Sequence, residues 1–370
     1  MLVGVPTEIK NNEYRVGLTP SAAADYVAHG HGVCVQAGAG EGSSFPDADY
    51  VAAGCKIMPD AAAVFESAEM IVKVKEPQAA EIAMLRPGQI LYTYLHLAPD
   101  LPQTQGLIQS GAVCIAYETV ETAHGALPLL APMSEVAGRM ASQVGAHYLE
   151  KPQGGRGVLM GGVPGVPGAN VLVLGGGVVG TNAAYVAKGM GAHVTIADVN
   201  LDRLRALDEV WGDEVTTLYS SKGNILEVLP AADLVIGAVL LPGAKTPWLI
   251  TRDMLALMKP ASVLVDVSVD QGGCIETTKP TTHADPIYFV DGILHYGVAN
   301  MPGAVPNTST RALNHATLRY GLAIADKGWQ QALRDDAALA KGANVIDGKV
   351  VYKEVADVHG LEYTPLEQLL

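Results

Sequence analysis

Residues 171–180 read Val-Leu-Val-Leu-Gly-Gly-Gly-Val-Val-Gly, an apolar run of strand length that stops at three consecutive glycines and passes into a helix-forming segment, 181–190. A strand that turns at once into a helix packs that helix back on its own sheet, and a parallel strand must then follow. That strand stands at 193–197 and closes on Asp198. Glycine does a different job at each of three positions. Gly175 permits the tight turn, Gly177 leaves no side chain where an anion would approach the backbone, and Gly180 lets helix and strand pack closely. With Val178 and Val179 between them, the helix N-terminus offers unpaired N–H groups to that anion. Asp198, 21 residues beyond Gly177, is placed to accept from both hydroxyls of a ribose. The segment therefore reads as a dinucleotide-binding turn. The carboxylate repels a 2′-phosphate and favours NAD over NADP, while Arg203 and Arg205 nearby pull the other way.

The rest of the chain has the same grain. Apolar runs at 2–5, 33–36, 70–73, 90–93 and 113–116 alternate with helical segments at 21–29, 48–53, 60–66, 78–85 and 102–110. A second series of strands follows the glycine-rich stretch at 171–174, 194–197, 234–238 and 263–267. Such alternation predicts mostly parallel sheets covered on both faces. Segment 134–150 is helical in pattern and long enough to bridge domains, 309–327 is another helical stretch, and the last sixty residues are expected to rejoin the first domain. The expected fold is α/β, with two doubly wound domains: a Rossmann domain over 129–306 inserted in a discontinuous substrate domain, 1–128 and 307–370.

Composition narrows the partners. The chain of 370 residues carries 24 basic and 38 acidic residues, a net charge of −14, so nucleic acid and anionic membrane surfaces would be repelled. It is 49% hydrophobic and 17% charged, which describes a chain that buries much of itself. The longest uncharged run, 157–187, has the length of a membrane span but holds nine glycines and two prolines, which suit turn, strand and helix start instead. No basic leader precedes an apolar stretch at the N-terminus, and the four cysteines (Cys34, Cys55, Cys114, Cys274) lack paired spacing. A cytoplasmic protein with reduced thiols is expected. His29 and His31 have no further ligand-like neighbours in sequence, and no metal is assigned.

Polar groups gather at strand ends. The charged loop 8–15 follows the first strand directly, at the sheet end where open α/β folds bind ligands, so Arg15 could fork onto a substrate carboxylate. Lys75 and His96 end the runs 70–75 and 90–96 in the same way. His96 is the acid/base candidate because imidazole titrates near neutrality. Asp270 follows the strand at 263–267 and precedes Gly272 and Gly273, placing a carboxylate on a glycine-flexible loop.

The chain resembles the alanine dehydrogenase family along nearly its whole length. The residues that carry the resemblance are Pro6-Thr7-Glu8 with Asn11-Asn12-Glu13-Tyr14-Arg15-Val16, Val74-Lys75-Glu76-Pro77, Leu95-His96-Leu97-Ala98, Leu130-Ala131-Pro132-Met133-Ser134-Glu135-Val136-Ala137-Gly138-Arg139, Val269-Asp270-Gln271-Gly272-Gly273-Cys274 and Val298-Ala299-Asn300-Met301-Pro302. The resemblance implies an NAD-dependent enzyme that interconverts L-alanine with pyruvate and ammonia, as a homohexamer of two-domain subunits. It implies that Arg15 and Lys75 hold substrate and that His96 and Asp270 are catalytic. It also implies that Ser134, Asp198, Arg203, Ser220, Val239, Leu240, Val267, Asp270, Val298, Asn300 and Met301 lie at the cofactor with the glycine turn. One departure is Asn307, where a basic residue is expected in relatives and for which Arg311 could substitute. Two rival readings are the NAD(H)-binding subunit of a transhydrogenase, which shares fold and parts of these motifs, and a non-catalytic NAD-sensing protein.

Overall fold

The computed structural model describes residues 1–239, 246–269 and 272–370. In chain order the strands are β1 (Leu2–Val5), β2 (Gly32–Gln36), β3 (Lys56–Met58), β4 (Met70–Val72), β5 (Ile90–Thr93), β6 (Val113–Ala116), β7 (Asn170–Leu174) and β8 (His193–Asp198). They continue as β9 (Val215–Tyr219), β10 (Leu234–Gly237), β11 (Val263–Asp266), β12 (Ile287–Val290), β13 (Ile293–Tyr296), β14 (Ala343–Ile346) and β15 (Lys349–Val350). The chain divides into two compact units, Met1–Met133 with Gly303–Leu370, and Ser134–Pro302. The junctions expected at 128/129 and 306/307 stand a few residues from these bounds.

The first unit is built on an eight-stranded sheet in the order β15-β14-β6-β5-β4-β1-β2-β3. The pairs among β1 to β6 are parallel, whereas β14 runs antiparallel to β6 and β15 antiparallel to β14. β4, β5 and β6 are buried along their whole length, as strands covered on both faces must be. Each fully buried Val, Ile or Leu among them contributes roughly 1.5–3 kcal/mol. The chain order reverses between β1 and β4, so the loops leaving these two strands diverge to opposite faces and open a crevice at their carboxyl ends.

The second unit has seven strands in the order β12-β13-β11-β10-β7-β8-β9, parallel except for the β12–β13 hairpin. Leaving aside β12, this is the doubly wound arrangement of two mononucleotide-binding halves, with its reversal between β7 and β10. Short polar residues start many helices. Thr19 accepts from the Ala22 N–H, Asp60 from Ala63, Asp100 from Gln103, and Asn200 from Asp202 and Arg203.

The structure departs from the sequence expectation at several elements. The helix after the glycine turn begins at Val178 rather than 181, inside the motif itself. β3 and β9 sit at sheet edges and β12 on the outer side of a hairpin, so their half-exposed sequences carry little apolar signal. The return of the C-terminal segment to the first unit rests on contacts that no local pattern encodes. On the helix Pro306–Lys327, Asn314 accepts from the Thr19 N–H (2.5 Å) and donates to the Gly17 carbonyl (2.8 Å). Thr310 accepts from the Val16 N–H, and Tyr92 donates to the Thr317 carbonyl. Among the described residues no helix is long and apolar enough to cross a membrane.

Candidate active site

In the second unit the glycine turn leaves β7 at the strand reversal. Gly175 has φ +101°, and a Cβ there would sit 2.7 Å from the Ala238 carbonyl oxygen, so only glycine makes this turn. A Cβ on Gly180 would lie 1.8 Å from the Gly175 carbonyl oxygen, which fixes the close approach of helix to strand. At Gly177 a Cβ would meet nothing within 4 Å. The space in front of Gly177 is open, and the helix Val178–Gly189 starts there without a side-chain cap. Uncapped N–H groups facing an open cradle are what a pyrophosphate needs.

Asp198 ends β8 beside this cradle. One carboxylate oxygen accepts from the Gly176 N–H (2.6 Å) and the other from the Asn200 N–H (2.8 Å), which holds the group in place with acceptor capacity to spare. Arg203 folds back onto the turn, donating to the Gly176 carbonyl (2.6 Å) and Thr181 Oγ1 (2.7 Å). Val239, half-buried, follows β10, and its carbonyl accepts from Ser268 Oγ (2.6 Å) in the loop after β11, next to Val267. Ser220 follows β9 and donates its N–H to the Asp198 carbonyl. The ends of β7, β8, β9, β10 and β11 thus bring these predicted cofactor residues to one edge of the sheet.

Asp266, at the end of β11, is an addition that sequence reasoning missed. It accepts from the N–H groups of Ser268 (2.9 Å), Cys274 (3.0 Å) and Ile275 (3.3 Å), tying both flanks of the following loop to one buried carboxylate. Burial pushes its carboxyl up to about 6 against those hydrogen bonds. Leu240 and Asp270 lie outside the described residues. Val298 and Met301 are buried after β13, and Asn300 takes φ 61° while its carbonyl meets His283 Nε2 at 3.2 Å. Ser134 is half-buried on the helix Ala131–Tyr148, whose Gly138 packs against the Val179 carbonyl of the turn helix.

In the first unit, Arg15, Lys75 and His96 follow β1, β4 and β5, three neighbouring strands at the reversal. Arg15 is buried, with Nε and NH2 in a fork on the Glu13 carboxylate (2.7 and 2.6 Å) and NH1 3.0 Å from Met133 Sδ. Glu13 therefore takes the edge that a substrate carboxylate was expected to fork onto, and a second carboxylate would have to meet the NH1 side. The Lys75 ammonium has no hydrogen-bond or ion-pair partner among the described residues; only its carbonyl is held, by Thr93 Oγ1. Burial holds its ammonium below the usual lysine range, with Arg15 and Lys10 adding to the effect and Glu76 and Glu13 opposing it. Glu76 pairs with Lys10, and its Oε2 is buried with no hydrogen-bond partner among the described residues. Despite burial, the carboxyl stays below its usual range because Lys75 and Lys10 face it.

His96 has a left-handed backbone, φ 50°, which costs a residue with a Cβ about 1–3 kcal/mol. Glu118 offsets the strain: its carboxylate accepts from the N–H of His96 (2.6 Å) and of Leu95 (3.2 Å). The imidazole lies flat on Tyr94, 5.7 Å between centroids, with Nδ1 3.9 Å from Glu118 Oε1 and 41% of the side chain exposed. It can therefore meet a substrate while a carboxylate stands behind it. Glu118 follows β6, the next strand in sequence and 22 residues beyond His96, so spacing gave no sign of the pairing. Asn307 donates to the Ser43 carbonyl and accepts from Arg311, whose guanidinium lies over Phe45. His29 Nδ1 and His31 Nε2 both meet the Asp326 carboxylate, at 3.2 and 2.8 Å from Oδ1.

Comparison with known proteins gives the geometry a context. Residues 4–137 match the family described as alanine dehydrogenase/PNT, N-terminal domain, and residues 141–353 match its C-terminal domain. An alanine dehydrogenase from Halomonas elongata is 59% identical over 370 residues, all of both chains. A solved L-alanine dehydrogenase is 51% identical with a TM-score of 0.95, over 97% of this chain and 99% of that one. A solved transhydrogenase from Sinorhizobium meliloti is 26% identical with a TM-score of 0.81, over 95% and 99% respectively.

Proposed function

The chain belongs to the alanine dehydrogenase/PNT family, and from that membership we propose that it catalyses the reversible NAD-dependent oxidative deamination of L-alanine to pyruvate and ammonia. The observation that carries the substrate side of this reading is Lys75, half-buried at the β1/β4 reversal within the electrostatic reach of Arg15, whose ammonium has no hydrogen-bond or ion-pair partner among the described residues and can meet the charge of a small oxo acid. NAD, held at the turn 175–180 and by Asp198, supplies the hydride acceptor. A transhydrogenase subunit or an NAD sensor would have no use for a substrate set of Arg15, Lys75 and His96.

Arg15, oriented by Glu13, binds the substrate carboxylate through its NH1 side and fixes the amino acid's Cα for hydride transfer. Loss of hydride from Cα leaves an iminium, which water attacks to give a carbinolamine. His96 takes the proton from that water and returns one to the departing nitrogen, and the carbinolamine collapses to pyruvate and ammonia. Lys75 donates to the developing oxygen, and Asp270 steadies the iminium charge. The assembly we propose is a homohexamer in the cytoplasm.

The test is the initial rate of NADH loss with pyruvate and ammonium, omitting each in turn. Loss that needs both is the expected result; loss without ammonium would assign a hydroxy-acid reaction instead. In the same assay His96→Ala should lower the rate on the order of 10²-fold or more.

A further inference from the structure

The mechanism leaves one group of buried charges unused. Lys73, immediately after β4, is fully buried, and its Nζ lies 2.9 Å from Glu8 Oε2 and 2.7 Å from Glu81 Oε1. Both carboxylates are themselves 2% exposed. Their remaining oxygens are also committed: Glu8 Oε1 accepts from the Val74 N–H (2.6 Å) and Glu81 Oε2 from the Gln78 N–H (2.8 Å). Three charges thus cross-link the loop after β1, the segment after β4 and the short helix Ala79–Ile82.

Stability is a poor explanation for such a cluster. Removing each ion from water costs several kcal/mol, and apolar side chains of similar volume usually serve a core as well or better. Its placement suggests another use. Glu8 stands at the start of the loop that ends in Arg15, and its charge acts on the Arg15 guanidinium. Lys73 lies two residues before Lys75, on a segment clipped to β5 by the Lys73 N–H, which donates to the Tyr92 carbonyl, and by Thr93 Oγ1, which donates to the Lys75 carbonyl (3.0 Å). With both carboxylates taken up by Lys73, Lys75 is left for another partner.

We propose that Glu8, Lys73 and Glu81 are positioning residues for substrate, a buried ion cluster that sets the loop bearing Arg15 against the segment bearing Lys75. The proposal rests on the reading of Arg15 and Lys75 as the substrate-holding pair. It differs from a general role in folding in one respect: neutralising the cluster should be felt by the oxo acid and hardly by the dinucleotide, which is held in the other unit.

The informative variant of the full-length protein is the triple change Glu8→Gln, Lys73→Met and Glu81→Gln, which keeps volume and removes charge, because Lys73→Met alone would strand two buried carboxylates. Glu81→Gln, which keeps the Glu8–Lys73 pair, stands in if the triple variant does not fold. In a folded variant, judged by circular dichroism and thermal midpoint, kcat/KM for pyruvate should fall up to about 10²-fold, mostly through KM, while KM for NADH stays within about twofold of the parent. A folded variant with parental KM for pyruvate, or with KM for pyruvate and NADH raised together, would overturn the proposal. Should the parent protein itself fail to consume NADH with pyruvate and ammonium, the functional reading falls, and the positioning role falls with it.

Discussion

Lys75 shows how much a single residue's surroundings decide. Its burial, together with the nearby cations Arg15 and Lys10, lowers the pH at which the ammonium is lost, and a neutral amine donates less strongly to a developing oxyanion. The pH dependence of kcat/KM for pyruvate should therefore show an alkaline fall at a pH below the ordinary lysine value of about 10.4. In Lys75→Arg, whose guanidinium does not titrate there, that fall should move beyond the accessible range even if the rate drops. An unmoved alkaline limb would assign the titration to another group. The places of these residues in the fold were legible, Lys75 and His96 because each ends an apolar run and Arg15 because its charged loop follows β1 directly, and strand ends at a chain reversal are where such folds bind ligands. Their partners were not. Glu13 for Arg15 and Glu118 for His96 become neighbours only once the backbone turns at 13–15 and once β5 is known to lie beside β6. A carboxylate in sequence looks the same whether it is solvated or holding another residue's backbone.

Among the elements, the turn helix Val178–Gly189 separates two roles that glycine plays in one motif. Gly177→Ala adds a methyl group to open space, so the variant should melt close to the parent while NADH titration shows a clear loss of affinity. Gly180→Ala drives a methyl group to within 1.8 Å of a backbone carbonyl, so the second unit itself should lose stability, by about 1–3 kcal/mol as for other overpacked sites. Denaturant melts paired with NADH binding by fluorescence would distinguish the two. Equal destabilisation by both changes would mean that the space before Gly177 is not a ligand cradle. The central strands were readable because parallel strands covered on both faces are written as plain apolar runs. β3, β9 and β12 were not, since an edge or hairpin strand is half-solvated and needs no such run, while β13 and β14 went unread although both are buried, each a four-residue run broken by a polar residue, His295 or Asn344.

The two units differ in how their sequence is gathered. Residues 134–302 form theirs from one continuous stretch, whereas the first unit needs both ends of the chain, with hydrogen bonds such as Val16 to Thr310 spanning 294 positions. Expressed alone, 134–302 should fold cooperatively and retain NADH binding, while 1–133 should not give a stable protein, as judged by circular dichroism and by protection from protease. A protease-resistant 1–133 would show that the return segment decorates the first unit rather than completing it. That return was the least legible part of the fold, because periodicity is local and the Asn314 and Thr310 contacts are not.

A split sheet also sets a timetable. A ribosome releases the chain from its N-terminus, so β6 emerges with an open edge and waits for β14 while residues 117–342 are made. In that interval the continuous unit can fold outside the exit tunnel, while the edge of β6 offers unpaired backbone groups to any passing strand. The newborn chain's hazard is thus concentrated at one strand and ends when residues 343–346 dock there.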